Sequence, residues 1–331
     1  MKRLDHYWYS VNPVSILLLP LSWLFCFISW LRRLAYRFNF KPTRHLPVPV
    51  IIVGNITVGG TGKTPLVIWL AAYLREKGYS PGIISRGYGG SASEWPIQVT
   101  ADSNPQEVGD EPVMLAQRSG CPVWVGPDRP ATGHALLKNS SCDILISDDG
   151  LQHYALGRKI EIAVIDGVRG LGNGFCLPAG PLRERASRLS QVDLVVFNGV
   201  VTDGISRFAG HCMTLTTGDL VNLKDQRRVS TTQFQGQSVH GMAGIGNPER
   251  FFNTLTQLGM KVETHAYPDH HKFSEAEISP NDDRPVIITE KDAVKCVTFS
   301  QQRHWYLEVS AELDRDFIQQ LDKLIRELND G

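Results

Sequence analysis

Short apolar runs that end at glycine or at acidic residues recur along the chain. Residues 50–53, 81–84 and 160–165 form such runs, with many β-branched side chains, as is typical of buried parallel strands. The first run is followed by apolar residues at helical spacing over residues 63–74. This alternation of strand and helix patterns predicts an α/β fold built on a parallel sheet.

The C-terminal third repeats the pattern on a smaller scale. Strands are predicted near residues 238–243, 261–266 and 285–289, and a closing amphipathic helix is predicted over residues 313–328. The intervening residues 202–237 are rich in Gly, Thr, Asp and Gln, and are predicted to form a connection or an irregular segment.

A nearly continuous apolar stretch occupies residues 14–31, with Pro20 as its one strong breaker. It is about long enough to cross a bilayer core, which needs ~20 residues. A secretory signal peptide fits poorly, since Arg32 and Arg33 stand where small cleavage-site residues would be expected. A buried helix of a soluble domain is a further alternative. The tryptophans of the apolar stretch and the arginines that follow it favour a membrane-seated helix, which either spans the bilayer or lies in one leaflet. The rest of the chain is then expected on the cytoplasmic side.

Charge and cysteine content narrow the possible classes of protein. The chain has 34 basic and 34 acidic residues, which argues against a nucleic-acid binder held by bulk charge. Seven Lys or Arg residues, at positions 2, 3, 32, 33, 37, 41 and 44, fall in the first 45 positions, against one acid, Asp5. The six cysteines lie far apart without CxxC spacing, as expected of reduced thiols in a cytosolic compartment.

The strongest chemical signal is the glycine-rich segment VGNITVGGTGKTP between the first predicted strand and helix. A helix N-terminus presents N–H groups and a positive dipole end to polyphosphates. In such loops the lysine reaches the β- and γ-phosphates, and the following hydroxyl binds Mg²⁺. We therefore predict an ATP-binding loop made of Thr57, Val58, Gly59, Gly60, Thr61, Gly62, Lys63 and Thr64.

Two other nucleotide-binding classes fit this loop less well. Partition-type ATPases carry a second lysine just before the glycine pair, where this chain has Val58. GTPases need an N/T-K-x-D motif for guanine, and the segment Thr289-Glu-Lys-Asp is out of register for it. ATP is therefore the favoured nucleotide.

Acidic and basic residues downstream are candidates for the remaining chemistry. Asp148 and Asp149 follow an apolar run, and strand ends near a phosphate loop are suited to hold Mg²⁺, although Asp-Asp-Gly is also a common turn. Asp110 precedes a predicted helix, and capping alone would explain it. Arg183 could clamp a phosphoryl oxygen and His270 could assist proton transfer, with ordinary surface roles as the alternatives.

Together these motifs resemble the tetraacyldisaccharide 4'-kinase (lipid A 4'-kinase) family. The matching segments are VGNITVGGTGKTP, SRGYGG, GDEPVMLAQR, DDGLQH, IDGVRGLGNGFCLPAGPLRE, MAGIGNPERFF, DHHKF and TEKDAVKC, in order between residues 50 and 296. Eight ordered segments are far more specific than a phosphate loop alone. The first glycine of the loop is normally absent from this family, which accounts for Thr57.

The resemblance implies transfer of the γ-phosphoryl group of ATP, with Mg²⁺, to the 4'-hydroxyl of a tetraacylated glucosamine disaccharide 1-phosphate. It implies that Asp110 is the base for that hydroxyl, supported by His270 with Asp269 beside it. The other implied site residues are Lys63 in catalysis, Thr64, Asp148 and Asp149 at Mg²⁺, and Arg183 and Glu184 near the phosphates. Rival hypotheses are a kinase for a soluble metabolite and an ATPase that acts as a nucleotide switch.

The expected fold class is α/β, with a P-loop NTPase-like parallel sheet domain, a second, smaller α/β domain and an N-terminal membrane-associated helix. The expected boundaries are 1–35 for the helix, 36–210 for the kinase core and 211–331 for the smaller domain. The expected partners are the lipid A disaccharide precursor and inner-membrane lipid, with neither nucleic acid nor an evident protein partner. The expected location is the cytoplasmic face of the inner membrane.

Overall fold

The computed structural model describes residues 4–202 and 204–329 of the chain. The basic residues at positions 2 and 3, counted in the N-terminal cluster above, lie outside these ranges.

The described strands join into one sheet of 13 strands. In chain order they are β1 (Val50–Gly54), β2 (Pro81–Ser85), β3 (Ile97–Val99), β4 (Val123–Val125), β5 (Ile144–Asp148), β6 (Ile160–Asp166), β7 (Leu194–Asn198), β8 (His211–Asn222), β9 (Arg228–Val229), β10 (Ser238–Ala243), β11 (Lys261–Ala266), β12 (Val286–Thr289) and β13 (His304–Leu313).

The α-helices are, in chain order, α1 (Pro13–Leu17), α2 (Leu19–Arg37), α3 (Lys63–Glu76), α4 (Pro105–Val108), α5 (Asp110–Ser119), α6 (Arg129–Asn139), α7 (Pro248–Gln257), α8 (Glu290–Ala293) and α9 (Arg315–Asn329). Short 3-10 helices occur at Leu4–Tyr7, Ala186–Gln191, Thr231–Phe234 and Val297–Phe299.

β1 lies inside the N-terminal half-sheet, which we define as β1–β7. It pairs in parallel with β5 on one side and with β6 on the other, and the strand order is β7-β6-β1-β5-β2-β4-β3. Strands later in the chain therefore flank β1 on both sides, which opens a crevice beyond its carboxyl end. The phosphate loop predicted from sequence begins at this point.

A long antiparallel pair, β8 and β13, connects this half-sheet to the C-terminal half-sheet of β10, β11 and β12. Residues 211–213 of β8 pair with β7, whereas residues 304–307 of β13 pair with β12. Between these ends, residues 214–217 and 309–312 pair only with each other among the described strands, and we call this segment the ribbon.

The strand directions along the ribbon determine where the two half-sheets meet. β8 is parallel to β7, and β13 runs antiparallel to β8 and parallel to β12. Except for β3, which is antiparallel to β4, the N-terminal strands therefore point along the ribbon toward the C-terminal half-sheet, whose strands point back. As a result, the carboxyl ends of these parallel strands and those of the C-terminal strands face one cleft above the ribbon.

Two apolar layers cover the N-terminal half-sheet. Helices α3, α5 and α9 bury one face, where the ring of Phe317 packs edge-on against Trp69 at a centroid distance of 5.7 Å. The other face is covered by α6 and by part of α2, through Leu136 and Cys26. In the C-terminal half, α7 packs on β10 and β11.

The N-terminal apolar stretch forms α1 and α2, and Pro20 lies in the first turn of α2, where its missing N–H has no cost. The Ser22 hydroxyl donates to the Cys176 carbonyl at 2.8 Å, so one face of α2 packs on the protein. Its other face leaves Trp23, Phe27 and Trp30 exposed. None of the described helices combines the length and the apolar character needed to cross a bilayer.

The prediction for residues 202–237 was wrong in its centre, because the 12-residue strand β8 occupies residues 211–222. Most of the ribbon part of this strand is exposed or half-exposed, so its Thr and Gly residues show no alternation of buried and exposed positions. The helix predicted at residues 313–328 is present as α9, and the strands predicted at residues 238–243 and 261–266 match β10 and β11. The domain boundary expected at residue 210 falls just before β8, and the division into domains stays a prediction.

Candidate active site

The phosphate loop connects β1 to α3 and depends on a glycine at its end. Gly62 precedes α3 with φ of 92°, and a Cβ on it would lie 2.4 Å from Asn198 Nδ2. The Asn198 side chain donates to the Thr61 carbonyl at 3.0 Å, which fixes the turn into the helix. The start of the loop is bonded to residues 181–182. Val58 donates to the Pro181 carbonyl at 2.8 Å, and Thr57 forms a β-bridge with Leu182.

Lys63 and Arg183 both lie against one carboxylate, that of Asp149. Lys63 Nζ is 3.4 Å from Asp149 Oδ1, and Arg183 Nη1 is 2.9 Å from Asp149 Oδ2. Burial opposes ionisation, but these two cations outweigh it and hold the pKa of Asp149 well below its usual range. Asp149 also has φ of 49°, a conformation uncommon for a non-glycine residue. Asp149 is therefore an ionised carboxylate whose charge is already compensated.

Asp148, at the end of β5, is compensated less fully. Ser85 Oγ donates to its Oδ2 at 3.1 Å, whereas its Oδ1 is buried without a hydrogen-bond partner among the described residues. Burial, aided by the charge of Glu111, outweighs the charges of Lys63 and Arg129 and raises the pKa of Asp148 to about 6. A buried carboxylate with an unpartnered oxygen can accept a cation, so Asp148 fits a Mg²⁺ site better than Asp149 does.

Asp110 and His270 meet although 160 positions separate them. His270 Nδ1 lies 3.1 Å from Asp110 Oδ2, and their side chains are 31% and 7% exposed. The hydrogen bond to Asp110 raises the pKa of His270. Burial alone would raise the pKa of Asp110, but the bond from His270 and the charge of Lys291 outweigh it and lower that pKa to about 2. The two residues form a hydrogen-bonded pair in which His270 is the accessible member.

The helix α5 presents Asp110 without using it as a conventional cap. Gly109, with φ of 95°, is the N-cap, and Asp110 is the first helical residue. Its Oδ1 accepts only the neighbouring N–H of Glu111 at 3.0 Å, which leaves Oδ2 for His270. Capping alone therefore does not account for Asp110.

Two lysines from the segment TEKDAVKC complete this corner of the site. Lys291 Nζ lies 2.9 Å from Glu111 Oε1 and 3.4 Å from Asp269 Oδ1. Lys295 Nζ lies 3.8 Å from Asp110 Oδ2. In the sequence, this segment contributed to the family resemblance and was set aside as a guanine motif, and neither lysine was assigned a role. The motif marked the segment as important. The roles of the two lysines depend on contacts with residues far away in the sequence, which the motif does not reveal.

A third unassigned residue, Arg169, links the two halves of the cleft. Its guanidinium donates to the Gly60 carbonyl of the phosphate loop and, at 3.4 Å, to the Gly246 carbonyl. Asp166 orients it by accepting from its N–H at 2.8 Å and its Nε at 3.2 Å. The turn that follows Asp166 thus positions an arginine at the phosphate loop.

The predicted phosphate contacts separate in the structure. Asp269 lies beside His270, as expected, with Oδ1 accepting from the His270 N–H at 3.1 Å. Glu184 turns away from Arg183 and accepts from Gln152 at 3.1 Å and from the hydroxyl of Tyr154. The structure therefore brings together Lys63, Asp149 and Arg183, whereas Glu184 braces the segment after Asp149.

A cleft of about 270 Å³ lies above the ribbon. Its polar end includes Lys63 and Thr64 from the phosphate loop, opposite Asp269 and Lys291. Its other end is apolar, with side chains from the ribbon, from the loop after β10 and from α7. These apolar residues are Leu215, Ile245, Phe251, Leu307 and Val309. A cleft with a polar end suited to phosphates and an apolar end suited to a base has the shape that fits a nucleotide.

The chain matches a known protein family along almost its whole length. The tetraacyldisaccharide-1-P 4'-kinase family matches residues 14–326. A tetraacyldisaccharide 4'-kinase of Nitrosococcus oceani is 52% identical over 321 residues, which cover 97% of this chain and 94% of that protein. One from Legionella pneumophila (strain Corby) is 48% identical over 311 residues, covering 94% and 93%.

A solved structure agrees with these sequence matches. LpxK from Aquifex aeolicus, crystallised in complex with ATP, superposes with a TM-score of 0.79 at 29% identity, covering 95% of this chain and 99% of that one. The match extends over both half-sheets and the ribbon between them. The resemblance inferred from eight sequence segments is thereby confirmed, and this chain belongs to the tetraacyldisaccharide-1-P 4'-kinase family.

Proposed function

We propose that this chain transfers the γ-phosphoryl group of ATP to the 4'-hydroxyl of a tetraacylated glucosamine disaccharide 1-phosphate, a step of lipid A biosynthesis. The observation that carries the proposal is one cleft holding a phosphate loop on one wall and the segments of the Asp110–His270 pair on the other. Phosphoryl transfer needs positioning, charge neutralisation and a group that takes one proton, and this cleft offers all three.

The residues present fit ATP and Mg²⁺. N–H groups at the start of α3 and the ammonium of Lys63 would hold the β- and γ-phosphates, with the adenine against the apolar slot. Thr64 and the unpartnered oxygen of Asp148 would hold the metal, and Asp149 would orient Lys63 and Arg183. When bound, Mg²⁺ supplies charge neutralisation on the phosphoryl oxygens.

We propose that the Asp110–His270 pair takes the proton of the acceptor hydroxyl. Asp110 was expected as the base, but its side chain is 7% exposed against 31% for His270. These exposures favour His270 Nε2 as the atom that meets the hydroxyl, with Asp110 fixing the ring through Nδ1. Tyr88 lies over the imidazole at a centroid distance of 5.3 Å and limits its movement.

We also propose that α2 seats the enzyme on the cytoplasmic face of the inner membrane, as a peripheral rather than a spanning helix. The exposed Trp23, Phe27 and Trp30 are suited to the membrane–water interface. Arg32 and Arg33 follow them, and their positive charges would attract anionic lipid headgroups. Since the acceptor is itself a membrane lipid, this location would put enzyme and acceptor on one surface.

Radiolabelled ATP incubated with the disaccharide 1-phosphate in detergent, followed by lipid extraction, tests the proposal. We expect label in the lipid fraction that depends on the acceptor. A kinase for a soluble metabolite would instead label the aqueous fraction with cell extract as acceptor. A switch ATPase would release phosphate without labelling either fraction, and either result would contradict the proposal.

A further inference from the structure

A compact group of metal-ligating side chains lies on β10 and β11, outside the cleft. His240 is directly opposite Glu263 in the parallel register, and His265 is two residues further along β11, so all three point to one face of the sheet. Nδ1 of His240 lies 3.0 Å from Nε2 of His265 and 3.9 Å from Oε2 of Glu263, and the His265 atom lies 3.7 Å from Oε1 of Glu263. In the described part of the chain, this is the one group of three or more such side chains with ligand atoms close enough for a metal.

These separations match those expected around a small tetrahedral cation. Metal–ligand bonds of about 2.0–2.1 Å at tetrahedral angles put neighbouring donor atoms roughly 3.3–3.4 Å apart. The two separations that involve His265 Nε2 fall within about 0.4 Å of that value, and His240 Nδ1 lies 3.9 Å from the other oxygen of Glu263. Small side-chain rotations therefore suffice to bring one carboxylate oxygen and both nitrogens to the expected spacing. Two imidazoles and one carboxylate are a donor set that suits zinc better than Mg²⁺ or Ca²⁺.

The surrounding residues orient the group as a metal site requires. His240 Nε2 lies 3.1 Å from both oxygens of Asp282, and this contact places its proton on Nε2 and leaves the Nδ1 lone pair for a metal. Arg284 donates to Asp282 Oδ2 and to Glu263 Oε2, both at 2.7 Å. Arg284 thus holds the outer oxygen of Glu263 and leaves Oε1 directed toward His265.

Without a metal, the Nδ1 lone pair of His240 accepts a hydrogen bond from His265 Nε2 at 3.0 Å. Metal binding would displace the proton from this His265 nitrogen, because a ligand atom must be unprotonated.

We propose that His240, Glu263 and His265 form a zinc-binding site with a fourth position open to solvent. Zinc there would fasten the edge strand β11 to β10. The chain continues from β11 directly to Asp269 and His270, so the bound ion would stiffen the segment that carries the accessible half of the proposed proton-accepting pair.

The test measures metal content of tag-free, full-length protein, stripped with a chelator and equilibrated with ZnCl₂ in the absence of nucleotide. We expect one zinc per chain by mass spectrometry of the metal, together with a rise in Tm of a few °C. His265→Ala should abolish this zinc, and Glu263→Gln should weaken its binding at least ~10-fold. Asp282→Asn should weaken binding by ~10- to 100-fold, the usual effect of removing an orienting partner.

Matched controls separate this site from adventitious binding. His134→Ala removes an exposed imidazole on α6, and Cys212→Ser removes an exposed thiol, so both should retain one zinc per chain. Absence of zinc from the wild type would overturn the proposal and leave His240 and His265 joined by a simple hydrogen bond. Equal zinc in His265→Ala and in the wild type would overturn it as well.

Discussion

Lys63 Nζ lies 3.4 Å from Asp149 Oδ1, so the charge of the phosphate-loop lysine is held by a carboxylate of the same site. When the phosphates of ATP occupy the loop, Lys63 would exchange one anionic partner for another. Arg183, 2.9 Å from Asp149 Oδ2, would then still compensate the charge of Asp149.

Lys63→Ala should reduce turnover by ~10²-fold or more, because the lysine stabilises charge that develops on the transferred group. The change should leave Tm nearly unaltered, since Arg183 still compensates the charge of Asp149. Lys77→Ala is the matched control at the C-cap of the same helix, where Lys77 pairs with Asp322 at 3.0 Å on the surface. Near-normal turnover in Lys63→Ala would remove the phosphate-loop assignment.

Asp148→Asn should raise the Mg²⁺ concentration needed for half-maximal activity more than Asp149→Asn does, because only Asp148 has a free buried oxygen. The pH dependence follows from the pKa of Asp148, raised to about 6. Below that pH the carboxyl is protonated and must release a proton to bind the metal, so the Mg²⁺ requirement of the wild type should increase. Titration of activity with Mg²⁺ at pH 5.5 and 7.5 checks both expectations. An equal Mg²⁺ requirement in the two variants would contradict the assignment of the metal to Asp148.

Asp110→Asn and His270→Ala should each lower kcat severely while leaving the affinity for ATP close to that of the wild type. Asn keeps the shape of Asp and caps a helix about as well, so a capping role predicts little loss. If the two residues act as a unit, the double variant should be little slower than the slower single variant. Losses that multiply would show that the two residues act independently.

The same pair predicts an acid limb in the pH–rate profile at saturating Mg²⁺. The pKa of His270 is raised above its usual 6.5, and the ring accepts a proton only when neutral, so kcat should fall as the pH drops through that raised pKa. If Asp110 itself were the base, its pKa of about 2 would leave kcat flat across the whole neutral and mildly acidic range. A profile without this limb would return the role of base to Asp110.

Replacing Trp23 and Trp30 together by Gln should weaken binding to anionic vesicles by at least ~10-fold. Each large apolar side chain contributes about 1.5–3 kcal/mol when buried in an apolar phase. Activity on the detergent-dispersed acceptor should change little, since neither side chain lies in the cleft. Val297→Gln, an exposed apolar residue of the C-terminal half, serves as the control in vesicle sedimentation. Unchanged sedimentation of the double variant would refute the proposed role of α2.

Sequence reasoning succeeded where function depends on local patterns. The phosphate loop follows directly from β1, so the spacing of three glycines and Lys63 was sufficient to locate it. Asp148 and Asp149 were found for the same reason, at the end of β5. Which of the two lacks a charge partner could not be predicted, because the answer depends on the distant Arg183 and on Lys63.

Reasoning from local patterns failed where the fold brings distant segments together. Arg169, Lys291 and Lys295 contact the site through partners more than 70 positions away, and no periodicity records such pairings. The β8 half of the ribbon was missed because its residues 214–217 are exposed or half-exposed and show no alternation of buried and exposed positions.

The ribbon has a mechanical consequence for the enzyme. Two-stranded ribbons twist more readily than broad sheets do, and this one ends next to Gly218 and next to a bulge between Leu307 and Val309. Torsion of the ribbon would rotate the two rows of carboxyl ends about one axis and change the gap between Lys63 and His270. Arg118 on α5 pairs with Glu290 on α8 and, at 3.2 Å, with Glu308 on β13, and these contacts resist that rotation from one side. The ribbon would therefore act as a hinge at the floor of the cleft. The contacts on one side of the cleft would limit how far it can open.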